Sequence, residues 1–284
     1  FMSKDPLAEQ LLRESFCFLP ADRRARSRLV REMFSAFDGF LAIAEADRLK
    51  HSLTVVRGLN LSGRPLEPDD GYLPPKDGND RKHGLHARPD WEYQFAARRI
   101  EVHPFFRLGM ERASQIHEAI REDYMGVFEQ LDRHPALKGH DLQLHEAYRQ
   151  DQTLSVVRGL LYFATTSREG EGEGVVGKKH QDRSFATRHL FQDSGRFEIC
   201  LGDPHDPKAD WTTVEVPKNH DLFFLAMKAA LATGGRMVRP ADDSQAFVVG
   251  GELKALWHQG VTERPNAKRR VVVSFVHEGH DVLC

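Results

Sequence analysis

The chain has 284 residues, of which 40% are hydrophobic and 29% are charged, and its formal net charge is -2. This balance gives no global basic field of the kind that attracts nucleic acid or membrane surfaces, so neither is expected as a partner. The three cysteines are far apart, which favours a reduced, cytoplasmic setting without a disulfide framework. The longest apolar run, near 222–232, includes Lys228 and is too short to span a bilayer.

The first 150 residues have mainly helical patterns. A short helix is predicted over 7–13, with Asp5 as its N-cap and Pro6 at its first position. A short apolar strand at 16–19 precedes a helical segment over 22–49, where apolar residues recur three and four positions apart. Five arginines of that segment fit a solvated helix face better than a nucleic-acid patch: Arg23, Arg24, Arg26, Arg28 and Arg31.

Residues 51–90 are rich in Gly, Pro and Asp and are predicted to form a long, mostly irregular excursion over the surface. His83 and His86 lie in this segment without partners at metal-ligand spacing, so we interpret them as surface histidines. A second long amphipathic helix is predicted from Pro104 to about Arg133.

The hydrophobic period changes after Gln152. Short apolar runs bounded by Gly, Pro, Asp and Asn follow one another, which is typical of an antiparallel β-sandwich or jelly roll. These runs lie at 153–163, 184–191, 196–201, 211–216, 221–226, 245–249 and 269–276. The expected fold class is therefore mixed (α+β), with a helical N-terminal region over residues 1–150 packed on a jelly-roll core over residues 151–284 as one compact unit.

His180 and Asp182 form an H-x-D motif shortly after an acidic-glycine segment at 169–174. Residues two apart on a strand point to the same side, so this imidazole and carboxylate can converge on one point. Together they make two-thirds of a 2-His-1-carboxylate face, which leaves positions open on a non-haem iron(II). A charged surface loop is the alternative interpretation of the motif alone.

A second histidine would have to complete such a site. His258 is favoured because a turn after it leads into a clear strand at 269–275, headed by Arg269. A guanidinium beside the metal would suit a carboxylate anchored by two parallel hydrogen bonds. His220 is not followed by such an arginine, and the two C-terminal histidines remain a second metal hypothesis. The full set of alternatives is His189, His205, His220, His277 and His280.

Several segments match one family signature in order. His180-x-Asp182-x-x-x-x-Thr187 matches H-x-D-x-x-x-x-T, and His258 followed by Asn266-Ala267-Lys268-Arg269 is similar to an H…N-A-x-R ending. The other matching segments are 16–19, 40–50 (similar to F-F-x-L-P-x-E-x-K), 71–72, 89–95 and 157–163 (similar to L-R-L-N-x-Y-P). In this order they resemble the isopenicillin N synthase-like iron(II)/2-oxoglutarate oxygenases over nearly the whole chain.

The resemblance implies a double-stranded β-helix that carries an iron(II) site with 2-oxoglutarate and O2 in its open positions. The implied iron ligands, which are also the catalytic residues, are His180, Asp182 and His258. Arg269 is implied to anchor the far carboxylate of 2-oxoglutarate. Tyr162 and Thr187 are further candidates for cofactor binding, with a core tyrosine the alternative for Tyr162.

Arg269 and Arg270 are adjacent on a strand, so they face opposite sides and only one can point into the barrel. The match to the family favours Arg269, while Arg270 shares its face with Ser274 and remains the alternative. The chain departs from the family where Val271 replaces a serine. It departs again where Ser194-Gly195-Arg196-Phe197 replaces a Gly-Gly-Leu motif, and at an apparent insertion over 227–244.

We therefore expect an enzyme that hydroxylates a free small molecule, such as an amino acid or a secondary metabolite, with release of succinate and CO2. Desaturation or ring closure would begin with the same hydrogen abstraction and stays an alternative. Two rival classes are a non-catalytic ligand-binding jelly roll and a metal-dependent hydrolase or isomerase on a cupin-like barrel. A monomer or small homo-oligomer is expected, with the 51–90 and 227–244 segments as lid material.

Overall fold

The structure is a computed structural model that describes residues 6–54, 70–75, 82–162, 175–204, 206, 208–239, 246–261 and 268–276. Its helices are α1 (Leu7–Glu14), α2 (Arg23–Leu41), α3 (Glu45–Leu49), α4 (Trp91–Ala97), α5 (Pro104–Arg133), α6 (Leu144–Gln150) and α7 (Met227–Ala232). Short 3-10 turns lie at Pro135–Leu137 and Gln152–Leu154. No helix of this described part has both the length and the apolar character needed to cross a membrane.

Fourteen strands make up the described sheets. In the N-terminal half they are β1 (Phe16–Pro20), β2 (Ser52–Leu53), β3 (Asp70–Leu73) and β4 (Lys82–Ala87). They continue as β5 (Ser155–Tyr162), β6 (Val175–His180), β7 (Ala186–Gln192), β8 (Arg196–Cys200), β9 (Thr212–Thr213) and β10 (His220–Leu225). The last four are β11 (Arg236–Val238), β12 (Phe247–Val249), β13 (Trp257–Val261) and β14 (Arg269–Val276).

Two antiparallel sheets form the barrel. The major sheet has eight strands in the order β1-β10-β7-β14-β5-β4-β3-β2, and the minor sheet has four in the order β6-β13-β8-β9. Phe197 and Ile199 of the minor sheet pack against Leu222 and Phe224 of the major sheet, so the inner faces share one apolar core. The predicted mixed fold with a jelly-roll core is confirmed.

The long helices α2 and α5 pack on each other and on the outer face of the major sheet. Their apolar stripes are buried there, because Phe37 and Phe40 of α2 and Phe106 and Ile116 of α5 belong to one buried cluster. Gly159 of β5 permits a close approach, since a Cβ at that position would lie 2.8 Å from the Met33 side chain.

Three details of the N-terminal half differ from expectation. The helical segment over 22–49 is interrupted, because α2 ends at Leu41 and α3 begins at Glu45. Pro6 takes the N-cap position of α1 without a side-chain hydrogen bond, and Asp5 lies outside the described residues. The predicted irregular excursion over 51–90 contains three strands that the prediction missed, β2, β3 and β4, while 55–69 and 76–81 lie outside the described residues.

Strand β4 extends the major sheet through a six-residue pairing with β5. His86 of this strand is buried, so its interpretation as a surface histidine was wrong. His83 is partly buried and its Nδ1 lies 2.8 Å from the Tyr72 hydroxyl. The polar, glycine-rich composition of the segment concealed strands whose stability comes from pairing with β5 rather than from an apolar alternation of their own.

A buried charge cluster ties α2 to the sheet. Asp221 of β10 is fully buried and accepts hydrogen bonds from Arg26 of α2 and from Arg188 of β7, the latter at 2.9 Å. Arg188 also donates to Asp123 of α5 at 2.7 Å. Arg26 therefore does not belong to a solvated helix face. Its partner lies far along the chain, which a local pattern could not indicate.

Replacing Asp221 by alanine should destabilise the fold severely. The change leaves Arg26 and the fully buried Arg188 without their shared counter-charge, and breaking such a buried pair typically costs about 3–5 kcal/mol. Urea denaturation would measure the free energy of unfolding. The matched control is Asp38→Ala, which breaks an exposed pair with Arg270 and should cost at most about 1 kcal/mol. Equal effects of the two changes would contradict this account.

Candidate metal centre

The pairing of β6 with β13 places two histidines side by side. His180 is the last residue of β6, and the antiparallel register sets it directly opposite His258 on β13. Their ring centroids are 4.3 Å apart. Directly opposite residues on one sheet face have neighbouring side chains, so the register alone brings these imidazoles together.

Gln181 fixes the backbone between His180 and Asp182. Its side-chain amide donates to Val248 O and Ala255 O, and its carbonyl oxygen accepts from Val248 N at 2.7 Å. This buried side chain holds the end of β6 on the segment around β12, while Asp182 turns back towards the two histidines. Gln181 was not among the site residues predicted from the sequence. Its only signal was its place between the two H-x-D residues.

The three predicted ligands converge on one point. His180 Nε2 lies 3.4 Å from Asp182 Oδ1, and His258 Nε2 lies 3.7 Å from Asp182 Oδ2. One ligand atom from each residue falls within 4.8 Å of the others, and this is the only such group of three found among the described residues. Asp182 and His258 are largely buried, whereas His180 is partly exposed.

Backbone carbonyls fix the tautomers of both histidines. His180 Nδ1 lies 2.6 Å from Lys178 O, and His258 Nδ1 lies 3.3 Å from Leu256 O. A carbonyl only accepts, so each Nδ1 carries the hydrogen and each Nε2 presents its lone pair to the site. Such outer hydrogen bonds orient metal-binding histidines and raise their basicity.

The charge states also suit a cation. Burial alone would raise the pKa of Asp182, but His258 and His180 outweigh it and hold this pKa well below its usual range. Burial lowers the pKa of His258 to about 4, and the neighbouring His180 adds to that effect. Burial lowers the pKa of His180, but the hydrogen bond and charge of Asp182 outweigh it and raise this pKa above its usual value, so a bound metal would displace a proton there. Two imidazoles and one carboxylate on one side of a point make the donor set of a facial triad, which leaves other positions open.

Thr187 contacts the carboxylate of Asp182. Its hydroxyl donates to Asp182 Oδ2 at 2.7 Å, and it also lies 3.2 Å from the Ser184 hydroxyl. Thr187 is one of the cofactor-binding candidates predicted from the sequence. In the described structure its hydrogen bond goes to the carboxylate, so its effect is to hold Asp182 in place.

Arg269 is the first residue of β14, and its side chain is buried. Its Nη2 donates to Gln192 Oε1 at 2.8 Å, while its Nε is buried without a hydrogen-bond partner in the described residues. The guanidinium carbon is 5.9 Å from the ring of Tyr162, its pair on β5. Burial lowers the pKa of Arg269, and the opposing effects of Tyr162 and Asp193 are too small to offset its loss of water.

Arg270 lies on the opposite face of β14. It is about 40% exposed, donates to Asp38 of α2 at 2.6 Å and lies over the Phe34 ring. It therefore contacts the outer helix layer, away from Arg269. The alternation expected for adjacent strand residues is observed.

The other histidines considered as third ligands lie elsewhere. His189 on β7 is buried beside Phe197, outside the group of three. His220 Nδ1 lies 2.9 Å from Lys218 O on the strand β10. The remaining three are outside the described residues: His205, His277 and His280.

No protein-family model and no curated protein matches the sequence. The fold, in contrast, matches solved structures. The dioxygenase for auxin oxidation 1 of Arabidopsis thaliana, in complex with 2-oxoglutarate, superposes with a TM-score of 0.60 at 14% identity, covering 98% of this chain and 90% of that one. A full-length Neurospora crassa protein, in complex with alpha-KG and 5-formyluracil, gives a TM-score of 0.61 at 15% identity, covering 96% and 78%.

A Caulobacter crescentus protein assigned to the 2OG-Fe(II) oxygenase family gives a TM-score of 0.60 at 17% identity, covering 96% of this chain and 80% of that one. The fold is that of the 2-oxoglutarate/iron(II) oxygenases. These identities are low, so the likeness concerns the barrel and its helical layer.

Replacing His258 by alanine should abolish metal binding. Changes to groups that only support a ligand typically weaken metal affinity by roughly 10–100-fold, so loss of a ligand should exceed that range. Equilibrium dialysis with iron(II) under nitrogen would measure the affinity. His220→Ala is the matched control and should bind iron as the unmodified protein does. If the His258 variant retained iron and the His220 variant lost it, His220 rather than His258 would be the third ligand.

The metal-free fold should lose stability in acid partly through His189. Burial lowers the pKa of His189 to about 3, from 6.5 in an exposed chain, with the positive charge of Arg269 contributing. The unfolded chain therefore takes up this proton at a higher pH than the folded chain does. The contribution of His189 to the free energy of unfolding is fully present above pH 6.5 and falls as the pH drops towards 3. At about 1.4 kcal/mol per pH unit, the loss at about pH 5 should be about 2 kcal/mol.

Urea denaturation of the unmodified protein and of His189→Leu between about pH 7.5 and about pH 4 would isolate this contribution as the difference between two curves. His220→Leu controls for removal of an imidazole from the neighbouring strand. Parallel curves for the unmodified and His189→Leu proteins would refute the assignment.

Proposed function

We propose that this protein is an iron(II)- and 2-oxoglutarate-dependent oxygenase that hydroxylates a small molecule and releases succinate and CO2. The observation that carries the proposal is the convergence of His180, Asp182 and His258 at one end of a barrel whose inner wall also holds the buried Arg269.

The donor set fits iron(II). His180, Asp182 and His258 would bind the metal through two Nε2 atoms and a carboxylate oxygen, all of which already face one point. When bound, iron(II) supplies the activation of O2 that is coupled to decarboxylation of 2-oxoglutarate. Thr187 and the backbone carbonyls of Lys178 and Leu256 would keep the three ligands in orientation.

Arg269 fits the far carboxylate of 2-oxoglutarate. A buried guanidinium with an unpartnered Nε is costly by itself, and a carboxylate would satisfy it through two parallel hydrogen bonds. Gln192 would hold the guanidinium in orientation, and Tyr162 would form part of the wall beside it. The order of the sequence motifs further supports membership of the isopenicillin N synthase-like group.

A free small molecule is the substrate class that the protein best suits. The inner face of the major sheet has an apolar cluster that includes Leu160, Val273 and Phe275, with the guanidinium of Arg158 over the Phe275 ring. Among the matched structures, the Neurospora crassa protein is bound to thymine or 5-formyluracil, and another is a dioxygenase for auxin oxidation. An amino acid or a secondary metabolite of similar size would fit the same kind of site.

A titration of the iron(II)-loaded protein with 2-oxoglutarate under nitrogen tests the proposal directly. Chelation of iron by the keto acid should produce a weak visible charge-transfer band that saturates with 2-oxoglutarate. His258→Ala is the control and should give no band. Iron binding without any band would eliminate the 2-oxoglutarate oxygenase function while leaving a metal site.

Arg269→Ala should raise the concentration of 2-oxoglutarate needed for half-saturation by roughly a hundredfold. A hydrogen bond to a charged group contributes about 1.5–3 kcal/mol, and about 1.4 kcal/mol corresponds to a factor of ten. Arg270→Ala is the matched control and should change it by a few-fold at most, because Arg270 contacts Asp38 on the outer face. The reverse ordering of the two variants would show that Arg270 is the anchor.

Turnover should be found with small molecules. Succinate release, measured across a library of amino acids and secondary metabolites, should identify at least one compound that stimulates it well above the uncoupled rate. The Asp182→Ala protein provides the background, since it lacks one metal ligand. Stimulation only by a protein or a nucleic acid would refute the substrate class.

A further inference from the structure

A cavity lined by residues of α2, β7, β8 and β10 has no part in the roles assigned so far. Its volume is about 370 Å³, which falls within the range of about 300–1,000 Å³ that is usual for small-molecule sites. Among the described residues, its lining includes neither Arg269 nor any of the three candidate metal ligands. The cavity therefore needs an account of its own.

Two polar groups that line this cavity have no hydrogen-bond partner among the described residues. They are Nε2 of His189 on β7 and Nε of Arg23 on α2. The positive charge of Arg23 contributes to the lowered pKa of His189, so the two side chains lie near each other. His189 is only 7% exposed, and burying an unsatisfied polar group costs stability. A ligand that accepts hydrogen bonds in the cavity would remove that cost.

The charges beside the cavity leave one positive charge in excess. Three arginines lie within ion-pair distance of one carboxylate, that of Asp221: Arg23, Arg26 and Arg188. A second carboxylate, Asp123, pairs with Arg188, so three guanidiniums share two carboxylates. The two oxygens of Asp221 accept hydrogen bonds from Arg26 and Arg188, whereas Arg23 Nε lies 3.5 Å away and makes none. Arg23 is therefore the guanidinium best able to bind a further anion.

The remainder of the cavity is mainly apolar, and none of its described lining residues is acidic. Its apolar lining includes one aromatic ring and four aliphatic side chains: Phe197, Val30, Val214, Val216 and Leu222. The Phe197 ring lies 5.3 Å from the ring of His189 and 5.1 Å from that of His258, between centroids. A ligand that fits this lining needs a compact apolar body as well as a negative charge.

We propose that this cavity is a second ligand site, which binds a small monocarboxylate with its anionic group on Arg23 and His189 and its apolar body against Phe197. The site does not depend on a bound metal, because it uses none of the candidate ligands. It adjoins the surroundings of Arg269 through Gln192, which lines the cavity and accepts a hydrogen bond from Arg269 at 2.8 Å. Arg23 and Arg269 are therefore alternative anchors for an added carboxylate.

Calorimetric titration of this chain with benzoate, with manganese(II) and without metal, would test the site. Benzoate should bind saturably at one site in both forms. Arg23→Gln and His189→Leu should each weaken binding by roughly tenfold or more, as expected for loss of a hydrogen bond to a charged group. Benzyl alcohol, which has a similar shape without the charge, should bind roughly tenfold more weakly than benzoate.

Two control variants distinguish this cavity from other anion sites. Arg24→Gln alters the next, exposed arginine of α2 and should bind benzoate as the unmodified protein does. Arg269→Ala should also retain benzoate binding. If Arg269→Ala abolishes binding while Arg23→Gln leaves it unchanged, the carboxylate lies on Arg269 and the proposal is wrong.

The proposal also fails if benzoate shows no saturable binding, or binds only when manganese is present. If His189→Leu does not fold, Arg23→Gln decides the question, because the Arg23 side chain is 39% exposed and its replacement leaves the core intact.

Discussion

The candidate site depends on one pairing, that of β6 with β13. This pairing sets His180 opposite His258 and leaves Asp182, two residues further on, free to turn between them. Gln181 makes the turn possible by fixing its amide to backbone groups of Val248 and Ala255. A shift of one residue in this register would move one imidazole to the outer face and separate the three ligands.

The major sheet forms the wall of the barrel that faces β6 and β13 of the minor sheet. Its inner face carries Arg269 and His189, while its outer face carries Arg188 and Arg270. The outer arginines are paired with aspartates of the helices and of β10, whereas Arg269 forms no ion pair with any described carboxylate. Among the described residues, the outer face of this sheet therefore carries paired charges, whereas its inner face buries a guanidinium without a counter-charge.

Much of the barrel, together with His180 and His258, was predictable from the sequence, because the patterns that indicate them lie within short segments. The apolar runs after Gln152 each contain a strand, and the H-x-D spacing needs only the period of two. The burial of Arg26 was not predictable, because its partner Asp221 is distant in sequence. The strands β2 to β4 were missed because their polar and glycine-rich residues lack alternation.

The ligands of the candidate centre come from opposite ends of the β-rich half of the chain. His180 is the last residue of the strand β6, whereas His258 belongs to β13, and the strands β7 to β12 lie between them in the sequence. Contacts so distant in sequence form late during folding, since a long loop must close first. An unfolded chain would then hold the metal poorly, so the metal would act as a selective ligand of the finished barrel and shift the folding equilibrium towards it.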